Sequence, residues 1–349
     1  MFDIAYNIDC SHLEEPVRRN SIAALSAAVL IAGAVAACGG GGSTTESGAE
    51  KVSVSVTHPE DLYGVPWDVG REQGFFEDAG VVVEKIVPSE GGGTTLQNVV
   101  SGKLPFGEVA TGAIVNGAKR GAPVQVIGGG IQSVADVQWA VKPDSKVKDV
   151  KDAAGLKWGY TNPGSVSEAI SHLVPQRAGI KLSAKDRTST GGTGEGIALL
   201  EAGDVDLTYV SPRVAAEKPD SVRVVVRSDD LLPEYQQTMI VSSRNYAKKN
   251  PKVAKALLEG YAKSIEWIEK NPDKAGDAWA RKADMKPADA RRIMNDAVEA
   301  DHWGVAYNPK ALAAAEEGLK FTDDLDSVEW SKLATDKYLP ADQKGQLPD

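Results

Sequence analysis

Cysteine is nearly absent. The 349 residues contain two, Cys10 and Cys38, too few for a disulfide framework or a Cys-rich metal site. Histidine is scarce as well, with four. His58, His172 and His302 stand far apart, without ligand spacing such as HExxH. No GxSxG elbow and no P-loop occurs. "GGTGEG" at 191–196 is glycine-rich, but it lacks the Lys-Ser/Thr of a nucleotide loop and the GxGxxG frame. A formal charge of −10 without Lys/Arg clusters argues against a nucleic-acid partner. The apolar run at 21–37 is shorter than the about 20 residues of a spanning helix.

What that run does have is an order. Arg18 and Arg19 precede it, it is Ala-rich, and it closes on small residues. This is the layout of a secretory signal peptide. Val35-Ala36-Ala37-Cys38 resembles a bacterial lipobox, in which the cysteine becomes the lipidated first residue of the mature protein. Residues 1–37 are therefore expected to be a signal region and Cys38 the lipidation site, leaving no free thiol. Acyl chains hold a protein to a membrane at about 0.8 kcal/mol per buried CH₂. Residues 1–16 place acids ahead of the basic region, so Val17 is the better start. Residues 38–50, rich in Gly and Ser, read as a flexible tether.

From Lys51 onward strands and helices alternate. "KVSVSVT", "VVVEKIV", "LPFGEVA" and "PVQVIGG" read as strands, with helices "PWDVGREQGFFEDAG", "TTLQNVVSG" and "GAIVNGAKRG" between them. The pattern restarts at Asp149, with a short helix and a strand in "DVKDAAGLKWGYT", helices "SVSEAISHLVPQRAG" and "EGIALLEAG" and strands "DVDLTYV" and "SVRVVVR". Pro175 is expected to kink or end its helix. "QQTMIVSS" gives one more strand, and from about Tyr246 to Leu325 the chain is helical. There Ala254, Leu257, Leu258, Tyr261, Ile265 and Ile268 form an apolar stripe that reads as core. Alternating strands and helices predict an α/β fold with a parallel sheet. "LQNVVSGKLPFGEV" and "IALLEAGDVDLTYV" align at a shift of 101 residues, with Gly102 over Gly203 and Phe106 over Leu207. The echo suggests two similar lobes with a ligand cleft at the carboxyl ends of their strands.

"WDVGREQGFFEDAGVVVE", "LQNVVSGKLPFGEV", "GAKRGAPVQVIGG", "KVKDVKDAAGLKWGYTNPGS" and "NPKVAKALLEGYAKSIEWIEKNPDKAGDAWA" occur in this order. Together they resemble the substrate-binding proteins of ABC importers, in the nitrate/sulfonate/taurine and thiamine-precursor branch. The resemblance implies a two-lobed type II periplasmic-binding-protein fold with a helical C-terminal part. One lobe would combine residues 51–140 and 235–349, the other 141–234, with two crossings as hinge. Ala153-Ala154 departs from the "DLKGKK" common in the family, a difference in packing.

The function this implies is solute capture without chemistry, no cofactor, delivery to a permease, and a monomer lipid-anchored outside the cytoplasm. An extracytoplasmic enzyme would need a catalytic motif that is missing here, and a ligand sensor without a transporter is the other alternative. Candidate ligand contacts lie on loops that follow strands. They are Thr57, His58, Tyr63 and Trp67 after the first strand, Glu90 and Gly91 after the second, and Glu108 and Thr111 after the third. In the other lobe they are Tyr160, Thr161, Asn162, Gly164 and Ser165, then Thr193, then Tyr209, Ser211 and Arg213. The aromatic rings could grip a ring or alkyl portion. Arg213 could hold an anionic head, or pair with Glu217 at i+4. Ser165 and Glu168 have capping-box spacing, and the helix start beside them favours an anion. A small organic anion is the expected ligand; an aminopyrimidine, with Glu108 accepting from its amine, is the alternative.

Overall fold

A computed structural model describes residues 49–89, 91–323, 325, 327–344 and 347. The expected signal region, most of the tether, Cys38 and Glu90 lie outside the described residues. The first part of the chain runs β1 (Glu50–Thr57), α1 (Val65–Glu72), α2 (Phe75–Ala79), β2 (Val81–Ser89), α3 (Gly92–Val100), β3 (Phe106–Ala110), α4 (Thr111–Lys119) and β4 (Val124–Gly128). It then crosses to β5 (Gln138–Val141), β6 (Trp158–Tyr160), α5 (Val166–Arg177), β7 (Arg187–Ser189), α6 (Thr193–Ala202), β8 (Leu207–Val210), α7 (Pro212–Glu217) and β9 (Arg223–Arg227). It returns through β10 (Thr238–Ser243) and continues as α8 (Arg244–Lys249), α9 (Pro251–Lys270), α10 (Pro272–Ala283), α11 (Pro287–Glu299), α12 (Pro309–Thr322) and α13 (Trp330–Leu333).

Two five-stranded sheets result, in the orders β2-β1-β3-β10-β4 and β7-β6-β8-β5-β9. They have the same plan. β1, β2 and β3 match β6, β7 and β8 and pair in parallel. In each sheet one strand inserted by the other end of a crossing, β10 or β5, runs antiparallel to both its neighbours. The echoed segments fall on α3–β3 and α6–β8, and Gly102 and Gly203 both take left-handed backbone, with φ of 77° and 85°. That conformation is nearly free for glycine and strained for other residues. The two-lobed α/β architecture is the one expected, but the sheets are mixed rather than parallel, because each takes one antiparallel strand next to a crossing.

The first sheet shares its core with the C-terminal helices. The α9 stripe is buried throughout, from Ala254 to Ile268. The second sheet has its own core, where Trp139 and Trp158 meet at 4.8 Å between ring centres. The predicted helix at 66–80 is two helices, because Gly74 at φ 76° breaks it. α5 passes through Pro175 and ends two residues later. Proline has no N–H for the Ser171 carbonyl, and Arg187 Nε donates to that oxygen instead at 3.1 Å.

The lobes meet along residues 129–137 and 228–237, the two crossings. Gln237 N donates to Ile131 O and Tyr235 N to Gln132 O, each at 2.9 Å. A third segment, not anticipated, lies beside them: Gly129 N donates to Val305 O, Gly304 N to Gly130 O and Gln132 N to His302 O, at 2.8–2.9 Å. α12 straddles the junction. Its Leu312 and Leu319 belong to the first core and Ala315 to the second, and Glu317 accepts two hydrogen bonds from Arg177 of α5.

Candidate functional site

The loop that follows β1 is built tightly. His58 sits at φ 46°, Asp61 N donates to His58 O, and Gly64 N donates to Asp61 O. A Cβ at Gly64 would lie 1.9 Å from the Pro59 carbonyl oxygen, so only glycine closes this turn. Two indoles pin the loop from the helical side: Trp279 Nε1 donates to Glu60 O at 2.9 Å and Trp303 Nε1 to Leu62 O at 3.1 Å.

This loop presents Asp61 and Tyr63 to the second sheet. Arg213, at the start of α7, donates from Nε to Asp61 Oδ1 at 2.6 Å, and Ser211 Oγ reaches the same oxygen at 3.4 Å. Arg213 Nη1 donates to Glu217 at 2.6 Å. Tyr63 OH donates to Gln237 Oε1 at 3.0 Å, and Gln237 Nε2 donates to Asp136 Oδ1 at 2.6 Å and Ser133 O at 2.5 Å. Asp136 is only 2% exposed. Burial pushes its carboxyl up to about 7, against the Gln237 hydrogen bond. Burial likewise raises Asp61, with Arg213 pulling the other way. The Tyr63 and Tyr209 hydroxyls are held well above their ordinary range by burial and by the Asp136 and Asp61 charges.

The structure thus brings Tyr63, Tyr209, Ser211 and Arg213 together. Sequence reasoning missed three members of this cluster: Asp61, Asp136 and Gln237. Asp61 could have been found, since it lies in the same loop after a strand. Asp136 and Gln237 lie on the crossings, where no strand-end rule points.

Other expected contacts form separate groups. Thr161 Oγ1 shares a hydrogen bond with Ser167 at 2.9 Å, and Asn162 Nδ2 donates to Gly191 O at 2.7 Å, tying this loop to the one before Thr193. Ser165 caps α5, accepting from Glu168 N at 3.2 Å. The Glu168 carboxylate accepts from Gly164 N at 2.6 Å, so this helix start already carries a negative group. The Gly164 carbonyl comes close to Gly112 of α4, 3.7 Å from where a Cβ there would stand. Tyr160 is partly exposed at the end of β6. Thr57 and Ser89 meet on Thr95, whose hydroxyl also reaches Gly91 O. Thr111 Oγ1 donates to Gln236 O in the second crossing. His58 is exposed beside Glu60 at 3.3 Å.

Trp67 and Glu108 lie deeper, both with no exposed surface. Trp67 packs on Phe76 and Tyr261 at 5.8 and 4.6 Å, and its Nε1 donates to Glu108 Oε2 at 2.6 Å. The other Glu108 oxygen accepts from Thr238 at 2.7 Å, and burial raises this carboxyl to about 7.

The fold can be set beside known proteins. The aliphatic sulphonate binding protein SsuA of Escherichia coli superposes with a TM-score of 0.65 at 15% identity, over 81% of this chain and 97% of that one. The nitrate-binding protein NrtA of Synechocystis gives 0.63 at 14%, over 84% and 91%. A Candida albicans gene product described as having the generic periplasmic binding protein fold gives 0.66 at 12%, over 83% and 97%. These likenesses establish a periplasmic-binding-protein fold. No curated protein sequence matches the chain. The family model described as "NMT1/THI5 like" matches residues 65–275, which is more than half of the sequence. The chain therefore belongs to the NMT1/THI5-like family.

Proposed function

We propose that this protein is the extracytoplasmic solute receptor of an ABC importer, binding a small organic molecule between its lobes and performing no chemistry on it. The observation that carries the reading is the meeting of two strand-end loops, one from each sheet, on a single polar and aromatic cluster. Clefts between α/β lobes are usual ligand sites, and two crossings suit hinge closure. Ligand release to a membrane permease, and tethering through lipid on Cys38, complete the proposal.

The cluster favours an amine-bearing ligand, such as an aminopyrimidine, over the free organic anion expected from the sequence. Arg213 already faces two carboxylates. Asp136 is buried and faces amide and hydroxyl groups. A buried carboxylate is stabilised by a cation or a donor, and a protonated amine supplies both. Tyr63 and Tyr209 offer ring faces for the remainder. The organic-anion reading stands second: Arg213 is a cation at a strand end, and neighbours of this fold carry sulphonate- and nitrate-binding names.

A thermal-shift screen of aminopyrimidines, other amines, sulfonates, aromatic carboxylates and nitrate tests both. A true ligand at a hundred times Kd stabilises the fold by about 2.7 kcal/mol. An amine that shifts the parent and loses at least tenfold affinity in Asp136→Asn supports the leading reading. A sulfonate or carboxylate that binds the parent and is lost in Arg213→Gln replaces it. A panel without any shift counts against solute binding of these classes. Separately, Cys38→Ala should release the protein from membranes; unchanged membrane attachment and mass would remove the lipid tether.

A further inference from the structure

We propose that Asp61 and Arg213 form a latch that holds the two lobes together across the cleft. Asp61 stands on the loop after β1, in the first sheet, and Arg213 on α7 after β8, in the second. Their contact is short, 2.6 Å from Nε to Oδ1, and Ser211 Oγ adds a weaker contact to the same oxygen. Each side chain is only 18% exposed. An ion pair on an open surface contributes little; one shielded to this degree is screened much less by salt.

The geometry of each partner makes the contact a two-position device. Arg213 is held from behind by Glu217 at i+4, 2.6 Å away, so it keeps a counter-charge when the lobes separate. Asp61 sits on a loop whose backbone is fixed by Trp279 and Trp303, so its carboxylate is presented at one place. Opening moves Asp61 into water and leaves Arg213 on Glu217. Neither charge is stranded in either position, which avoids the heavy cost of a lone buried charge. The latch needs no knowledge of the ligand. A solute entering the cleft meets lobes biased toward closure, and its head group competes for Arg213 or for Asp61.

The test is small-angle scattering of the full chain without ligand, with folding followed by circular dichroism. Asp61→Asn keeps the side-chain shape and removes the charge; Arg213→Gln removes the other half. Both are expected to show a larger radius of gyration than the parent. Because the pair is shielded, the parent should stay compact from about 0.05 to about 1 M salt, and the variants should stay expanded. Exchanging the pair, Asp61→Arg with Arg213→Asp, should bring the radius back toward the parent value. A folded Asp61→Asn protein with the parent's scattering at both salt concentrations would overturn the latch. So would an exchanged pair that stays expanded while both single variants match the parent.

Discussion

Glu108 and Asp136 are acids placed where a carboxylate is costly, and they set how stability follows pH. Glu108 titrates near 4.5 in an ordinary setting and is raised to about 7 here by burial. Between those values the folded state binds more protons than the unfolded one, so its contribution to stability falls as pH rises from about 4.5 to about 7. Glu108→Gln can accept from Trp67 and donate to Thr238, so it should retain the network. The variant should match the parent near pH 4 and exceed it above pH 7, by roughly 3 kcal/mol if the whole linkage is released. Urea unfolding across this range measures it; a difference independent of pH would show that Glu108 is not titrating. His302 acts in the opposite sense. Burial lowers its ring from 6.5 to about 3, so the unfolded state binds the extra proton and stability is lost as pH falls below about 6.5. In the parent Glu108 and Asp136 both work against His302 between pH 4.5 and 6.5, and Glu108→Gln leaves the Asp136 slope still opposing the histidine.

Among the elements, α1 and α9 pack closely because two glycines leave room. A Cβ at Gly70 would lie 2.4 Å from the Phe76 ring and 2.5 Å from Ser264 Oγ; one at Gly260 would lie 2.9 Å from the Phe76 Cα. Gly260→Ala therefore pushes on backbone and should cost about 1–3 kcal/mol, read from the urea midpoint. The gain in helix propensity, about 1 kcal/mol, works against this loss, so a stabilised variant would mean that α2 shifts to make space. Elements with strong period or clear caps were legible: the α9 stripe, the Gly203 end of α6 and the Ser165 cap of α5 all stand where periodicity and capping place them. Short strands were legible only in part: β6 and β8 stand within "LKWGYT" and "DVDLTYV", where they were expected, but two others were not read. β5 and β7 hold four and three residues, and so short a run has little period to read. The split at Gly74 was missed because glycine is tolerated inside helices and only its left-handed backbone reveals the break.

For the whole molecule, the repeated plan was visible in an echo of fourteen residues and is complete in the two matched sheets. The junction was much less legible. Its third segment, 302–306, is joined by main-chain hydrogen bonds that any side chain permits, so the sequence carries little trace of it. Gly129 is one place where it does: a Cβ there would lie 2.4 Å from Gly304 O and 2.6 Å from Ala306 O. Gly129→Ala should force these backbones apart, cost about 1–3 kcal/mol, and speed amide exchange at Gly304. Unaltered exchange there would mean that the third segment is not held by this contact. The site cluster shares the junction's difficulty, since Asp136 and Gln237 belong to the crossings. One further consequence follows from the indoles of Trp279 and Trp303, whose N–H groups hold the carbonyls of Glu60 and Leu62 on the loop that carries Asp61. An indole's emission depends on what its N–H meets, so loop displacement would be written into the protein's own ultraviolet fluorescence. The protein carries an optical gauge of this loop, readable in a stopped-flow cell without any attached dye.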